Sequence, residues 1–377
     1  MTASKVYFTT MRTAPEDSIP AKLTRLLKAA GLGGPEAEVE NKLVAIKTHF
    51  GEFGNVSHLR PAYLRTIAQA VKDGGGMPFA TDCSTLYVGM RNNALKHLEC
   101  AALNGFSRDS CGCEIVIADG LRGDDEVSLP VPNPNGAETL LDEALFGRGI
   151  LDADLVVSLT HTKGCTAAAY GGVLKNLSMG CASKAGKMAM HAEGKPSVVP
   201  DLCIGCRLCL KSCGQDAIDL ADGKARINEK CVGCGHCMSY CQRGAIMPAW
   251  SGVREDMQKK MAEYAAAIVA SQKFFHVAIA IDITPQCDCF PGNDAPIVPN
   301  IGMLASLDPV ALDQAATDLI CQAPAIPGSA LPDLHAACDE SLDHIHAINP
   351  ESNWELCLEH AAELGAGSRD YELVEVK

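Results

Sequence analysis

The chain has 377 residues, 47% of them hydrophobic and 5% aromatic, with 34 Gly, 20 Pro and 19 Cys. That composition is globular rather than disordered or fibrous, and the length suits one large α/β domain or two domains. The 46 acidic against 32 basic residues give a net charge of −14, which repels phosphate backbones and argues against nucleic-acid binding.

In chain order, short apolar runs alternate with amphipathic stretches and glycine-rich turns, the pattern of βαβ units. Residues 5–9 read as the first strand. A helix follows, capped by Ser18, with Pro20 in its first turn and Ile19, Leu23, Leu26, Leu27 and Ala30 at helical spacing up to Gly31. Residues 43–46 read as a buried strand. Residues 61–72 read as a helix with Leu64, Ile67, Ala68 and Val71 on one face, stopped by Gly74-Gly75-Gly76. Further strands are expected at 78–81, 114–118, 155–159, 277–283 and 300–304. A helix at 309–320, capped by Asp308, closes the sheet. The expected fold is α/β, a mainly parallel sheet with helices on both faces, and beyond about residue 325 the chain turns Pro-rich and then helical.

No segment approaches eighteen consecutive apolar residues, and the N-terminus has no signal-like apolar stretch. No membrane span and a cytoplasmic location are therefore expected. In a reducing compartment, cysteines ligate metal or do chemistry more often than they form disulfides.

Between residues 197 and 250 the texture changes. The spacing C-x2-C-x2-C-x3-C occurs at Cys203, Cys206, Cys209 and Cys213, then again 28 residues on at Cys231, Cys234, Cys237 and Cys241. Asp216-Ala217-Ile218 is matched by Gly244-Ala245-Ile246, so internal duplication is the simplest origin. Zinc knuckles separate two C-x2-C pairs, whereas here three cysteines follow one another at the same step. They can wrap one cubane, each thiolate on a different iron, while the fourth completes the other cluster. The spacing assigns Cys203, Cys206, Cys209 and Cys241 to one 4Fe-4S cluster, and Cys231, Cys234, Cys237 and Cys213 to the second. The segment resembles the two-cluster bacterial ferredoxin, departing from it where Gly214 and Gln242 replace the proline that usually follows the fourth cysteine. An amphipathic helix carrying Val253, Met257, Met261, Tyr264, Ile268 and Val269 then returns the chain to the sheet. The division expected is an α/β domain over 1–196 and 251–377, the latter with a C-terminal helical segment, interrupted by an inserted ferredoxin-like module at 197–250.

Polar groups stand at the strand ends: Lys47-Thr48-His49, Asp82-Cys83-Ser84, Asp119, His161-Thr162-Lys163, and Asp282 followed by Cys287-Asp288-Cys289. In open α/β sheets, ligands bind beyond the carboxyl ends of the strands, so parallel strands would gather these groups in one cleft. The pairs Lys47/His49 and His161/Lys163 are the catalytic candidates, suited to an anionic ligand with His as proton donor. The pair Cys287 and Cys289 can chelate metal or exchange redox equivalents. With Cys165, and with His161, His49 or Cys83, it forms a candidate third metal site. Gly171-Gly172 before Leu174-Lys175-Asn176 opens a helix whose N-terminus suits an anion.

Lys47-Thr48-His49-Phe50-Gly51, Gly171-Gly172-Val173-Leu174-Lys175-Asn176, Cys287-Asp288-Cys289 and 306–313 (SLDPVALD) together resemble the family catalogued as domain of unknown function 362, over about residues 40–320. The resemblance implies an iron-sulfur protein of anaerobic type and supplies no reaction.

No G-x-G-x-x-G follows a strand, no H-E-x-x-H or G-x-S-x-G occurs, and Gly180 to Lys187 misses the P-loop by one residue. Nicotinamide, nucleotide-hydrolysing and radical mechanisms have no motif support, while a flavin site needs no single motif. The leading expectation is an oxidoreductase whose two clusters pass single electrons between a redox partner protein or small electron carrier and a strand-end site. The alternatives are a non-enzymatic carrier or cluster-handling protein with the α/β domain as docking scaffold, and a metal-dependent lyase or isomerase with structural clusters.

Overall fold

The computed structural model describes residues 3–86, 89–134, 136–165, 167–191, 195–213, 215–231, 236–241, 243–248, 254–337 and 343–377. Eight strands form the central sheet: β1 (Ser4–Thr10), β2 (Leu43–Lys47), β3 (Met77–Asp82), β4 (Glu114–Ile117), β5 (Leu155–His161), β6 (Phe274–Ala280), β7 (Gly302–Ser306) and β8 (Tyr371–Glu375). Their spatial order is β8-β1-β7-β6-β5-β2-β3-β4. Neighbours pair in parallel except β7, which is antiparallel to both β6 and β1. The sheet is therefore mixed but mostly parallel.

Every residue of β5 and β6 is buried. Strands covered on both faces read as continuous apolar runs rather than alternating ones. The two faces separate by parity. Val44, Ile46, Val157 and Val277 pack with Leu23, Leu27, Leu64 and Ile67 of the helices Ile19–Ala29 and Pro61–Asp73. Ala45, Val156 and Ala278 pack on the other face with Leu174, Tyr264, Ile268 and Val310, from the helices Val173–Leu177, Arg254–Ser271 and Pro309–Gln322. The expected caps form: Ser18 Oγ accepts from Ala21 N at 3.4 Å, and Asp308 Oδ1 accepts from Val310 N and Ala311 N at 2.9 Å each.

Several elements differ from the sequence expectation. The strand expected at 300–304 is β7, the one reversed strand. The edge strand β8, and a hairpin of Glu126–Pro130 with Glu143–Gly147, were not expected. Both carry charged, half-exposed residues, so neither shows the apolar run that marks the central strands.

The cysteine-rich segment lies between β5 and β6 in the chain, although these two strands pair with each other. It contributes two small antiparallel pairs, Pro196–Val198 with Ile246–Pro248 and Ile218–Ala221 with Lys224–Ile227, and the short helices Leu208–Ser212 and His236–Tyr240. The duplication seen in the sequence recurs in the backbone. Asp216 and Gly244 both have positive φ (49° and 62°). Ala217 N donates to Cys213 Sγ at 3.4 Å and Ala245 N to Cys241 Sγ at 3.2 Å.

Candidate functional site

A cavity of about 210 Å³ opens at the carboxyl ends of the parallel strands. Lys47, Thr48 and His49 reach it from β2, Asp82 and Cys83 from β3, His161 and Lys163 from β5, and Cys287 and Cys289 from the loop after β6. Four of the five strand-end groups thus converge. Asp119 does not join them, because its carboxylate accepts from Ser84 N (2.8 Å) and Ser84 Oγ (3.1 Å). Asp282 lies outside too, held by Arg60 at 2.8 Å.

Lys47 is fully buried, its Nζ 2.7 Å from Asn176 Oδ1 and 2.9 Å from Asp82. Burial works against its charge, but the charge and hydrogen bond of Asp82, with Cys181 and Cys83, together outweigh it and raise its pKa. His49 Nδ1 accepts from Gly51 N at 2.9 Å, which assigns the proton to Nε2. Among the described residues that buried Nε2 has no hydrogen-bond partner. Burial, with the Arg91 charge adding to it, pushes His49 well below its ordinary pKa, so it is a neutral N–H donor. His161 is placed differently from the proton donor expected. Its Nδ1 lies 2.9 Å from Asp288 and its Nε2 2.7 Å from the Ile281 carbonyl, so both nitrogens are engaged within the protein. Lys163 Nζ completes the group, 3.2 Å from Asp288 and 2.9 Å from the His161 carbonyl.

The helix Val173–Leu177 does have an anion at its N-terminus, and the anion belongs to the chain. The Asp313 carboxylate accepts from Val173 N (2.7 Å), Leu174 N (2.8 Å) and the Tyr170 hydroxyl (3.0 Å). Burial raises its pKa to about 6 against these bonds. Gly172 is required there, since a Cβ would lie 2.2 Å from Asp313 Oδ1. This anchored helix points two side chains that sequence reasoning had not assigned. Asn176 Nδ2 donates to Thr160 Oγ1 at 2.9 Å while its Oδ1 holds Lys47.

Lys175 Nζ donates to Cys165 Sγ at 3.0 Å and to Cys287 Sγ at 3.3 Å. Cys165, Cys287 and Cys289 all line the cavity. The neighbouring thiols of Cys165 and Cys289, with the Lys175 charge, hold Cys287 well below the ordinary thiol range despite burial. The neighbouring Cys287, together with burial, pushes Cys165 up to about 12. Two of the three sulfurs share one ammonium group, and among the described residues no set of three or more His, Cys, Asp or Glu is placed to hold a single metal ion. Cys83 also lines the cavity, but its Sγ donates to the Cys181 carbonyl at 3.4 Å.

In the cysteine-rich segment, Cys203, Cys206, Cys209 and Cys241 line one small cavity of about 20 Å³. The fourth cysteine of the second repeat thus stands with the first three of the first. Cys203 Sγ accepts from Ala225 N at 3.3 Å, and this bond pulls its pKa down. Backbone N–H groups aimed at sulfur suit thiolates that stay charged as cluster ligands. A cubane spreads its four thiolates over four irons, so it needs a wider arrangement of sulfurs than a single metal ion does. Of the second set, Cys213, Cys231 and Cys237 are described, while Cys234, Gly214 and Gln242 lie outside the described residues.

The two regions meet. Leu86 and Met188 pack in one apolar cluster with Cys203, Cys209, Cys237 and Met238, and Leu86 also lines the main cavity. Arg122 stacks on the Tyr240 ring at 4.3 Å. No helix among the described residues is long and apolar enough to cross a membrane.

No curated protein matches this sequence. Among solved structures, the chain is similar to the lactate racemase apoprotein from Thermoanaerobacterium thermosaccharolyticum, with 13% identity and a TM-score of 0.35 over 73% of this chain and 51% of that one. It is also similar to a structural-genomics protein from Thermotoga maritima, with 13% identity and a TM-score of 0.33 over 69% and 49%. The chain spans about half the length of these structures, and a likeness at this level extends to neither activity nor ligand. The family described as Domain of unknown function (DUF362) matches residues 44–318, most of the chain, and the chain belongs to that family.

Proposed function

We propose that the protein is a cytoplasmic iron-sulfur oxidoreductase of anaerobic metabolism, with two 4Fe-4S clusters in the cysteine-rich segment serving the strand-end cavity. Cys203, Cys206, Cys209 and Cys241 would hold one cluster, and Cys231, Cys234, Cys237 and Cys213 the other. When bound, each supplies single-electron transfer to and from an external carrier protein or small electron carrier. The observation that carries this reading is the shared packing of Leu86, which touches the cysteine-bearing cluster on one side and the cavity on the other. A carrier that only exchanged electrons at its surface would have no use for a 210 Å³ cavity lined by Lys47, His49, Lys163 and Lys175.

Within the cavity the chain's own groups bind and orient. Lys47 and Lys163 are fixed by Asp82 and Asp288, so their ammonium groups are ordered before a ligand arrives. His49 Nε2–H is the unpartnered donor for a ligand oxygen. Leu86 and Met188 exclude water between the two regions. The test is anaerobic reductive titration of the full chain with a viologen donor. Uptake of about one electron per cluster with bleaching of visible absorbance supports the reading, and a protein that accepts no electrons overturns it.

A further inference from the structure

The thiols of Cys165 and Cys287 come from the strand Lys163–Cys165 and from the loop after β6, 122 positions apart in sequence, yet both accept from one ammonium group, Lys175 Nζ, at 3.0 and 3.3 Å. Structural cysteines are small hydrophobes that do not need a buried lysine. Here Lys175 has been carried into the cavity on a helix anchored by Asp313, and its side-chain hydrogen bonds among the described residues go to the two sulfurs. No group of three His, Cys, Asp or Glu among the described residues is placed to hold a metal ion there.

We propose that Cys165 and Cys287 form a reversible dithiol/disulfide couple that exchanges with small disulfides bearing carboxylates. Cys287 is the attacking sulfur, since it is the more exposed of the two (6% against 2%) and accepts from Lys175 Nζ at 3.3 Å. It displaces one thiolate from the substrate S–S bond and forms a mixed disulfide. Cys165 then attacks the Cys287 sulfur, releasing the second substrate thiol and closing the Cys165–Cys287 bond. One substrate disulfide is reduced to two thiols as the two protein thiols are oxidised, and the two protons lost by the protein leave on the products. Lys175 stabilises the thiolate at each stage. The preference for anions follows from the lining, where Lys47, Arg91 and Lys163 are paired with Asp82, Glu52 and Asp288, while Lys175 and Lys187 add two cations that among the described residues form no ion pair with a carboxylate. Resetting the couple takes two electrons and two protons, and only this step rests on the function proposed above.

The experiment incubates the anaerobic full chain with cystine, which carries carboxylates, or with cystamine, which is cationic, and maps the modified cysteines by peptide mass spectrometry. The expected result is a Cys165–Cys287 cross-link with two substrate thiols released per chain, at least tenfold faster for cystine than for cystamine. Cys165→Ser should trap the substrate half on Cys287, and Lys175→Met should slow the cross-link at least tenfold while the fold, read by circular dichroism, stays intact. Cys165 and Cys287 remaining as free thiols, or modification confined to exposed cysteines such as Cys206, would overturn the proposal. Site-resolved mapping reads these two residues whatever the metal content of the cysteine-rich segment. Failure here therefore leaves the reductive titration standing, and failure of that titration leaves the exchange standing.

Discussion

The sheet and the cysteine-rich segment are held together by different means. In the sheet, β5 and β6 are buried throughout and contribute ten apolar residues, divided between two extensive apolar layers. The segment's own cluster is small, and Cys203, Cys209 and Cys237 are part of it alongside Ile218, Ile246 and Met238. A sheet with that much apolar burial folds by the hydrophobic effect alone. A segment whose core is built partly of thiols depends on what the thiols bind. The difference teaches where each region's chemistry sits: the sheet offers a rigid cavity of paired charges, and the segment offers ligands.

The contrast should be most visible on metal removal. Chelation under reducing conditions is expected to abolish hydrogen-exchange protection across 196–248 while the amides of β5 and β6 keep theirs. Equal loss in both regions would show that the two are one cooperative unit. Next in size is Lys47→Met, which leaves Asp82 buried beside Arg91 and His97 without its closest cation. Denaturant unfolding should register a loss of about 3–5 kcal/mol, with the segment's visible absorbance unchanged.

An effect that appears only on acidification follows from His276 in β6, fully buried with Ser158 at 2.9 Å, whose pKa burial lowers to about 3. The unfolded chain binds this proton near pH 6.5 and the folded chain only near 3. Stability from this group is therefore complete above about 6.5 and is lost as pH falls toward 3, at up to about 1.4 kcal/mol per pH unit. His276→Gln should flatten the acid limb of the stability curve, and an unchanged limb would assign it to other groups. The smallest effect is at the surface, where Ser18→Ala removes a long cap bond and should cost about 0.5 kcal/mol in thermal or denaturant unfolding.

Much of this arrangement could be read from residue order. β5 and β6 announced themselves as apolar runs, and the Lys, His and Cys groups at strand ends converged once those strands proved parallel. β8 was not legible because an edge strand of sequence YELVE buries little, so its residues carry no core signature. Asp313 was missed although its signal was present: a carboxylate on the apolar face of PVALDQAATDLICQ needs buried donors, and the helix Val173–Leu177 supplies them. Lys175 and Asn176 read as an ordinary helix start. Their targets lie on other strands, and no local pattern encodes a meeting of Lys175 with Cys165 and Cys287 across the fold.

The contrast between the two regions rests on what the eight cysteines at 203–241 hold. Iron, acid-labile sulfide and zinc should be counted in the anaerobically purified full chain and in Cys241→Ala. Two cubanes require about eight iron and eight sulfide per chain, with at least half of both lost in the variant and no stoichiometric zinc. A wild-type protein with zinc but no labile sulfide, or one whose iron and sulfide are indifferent to Cys241, would contradict it.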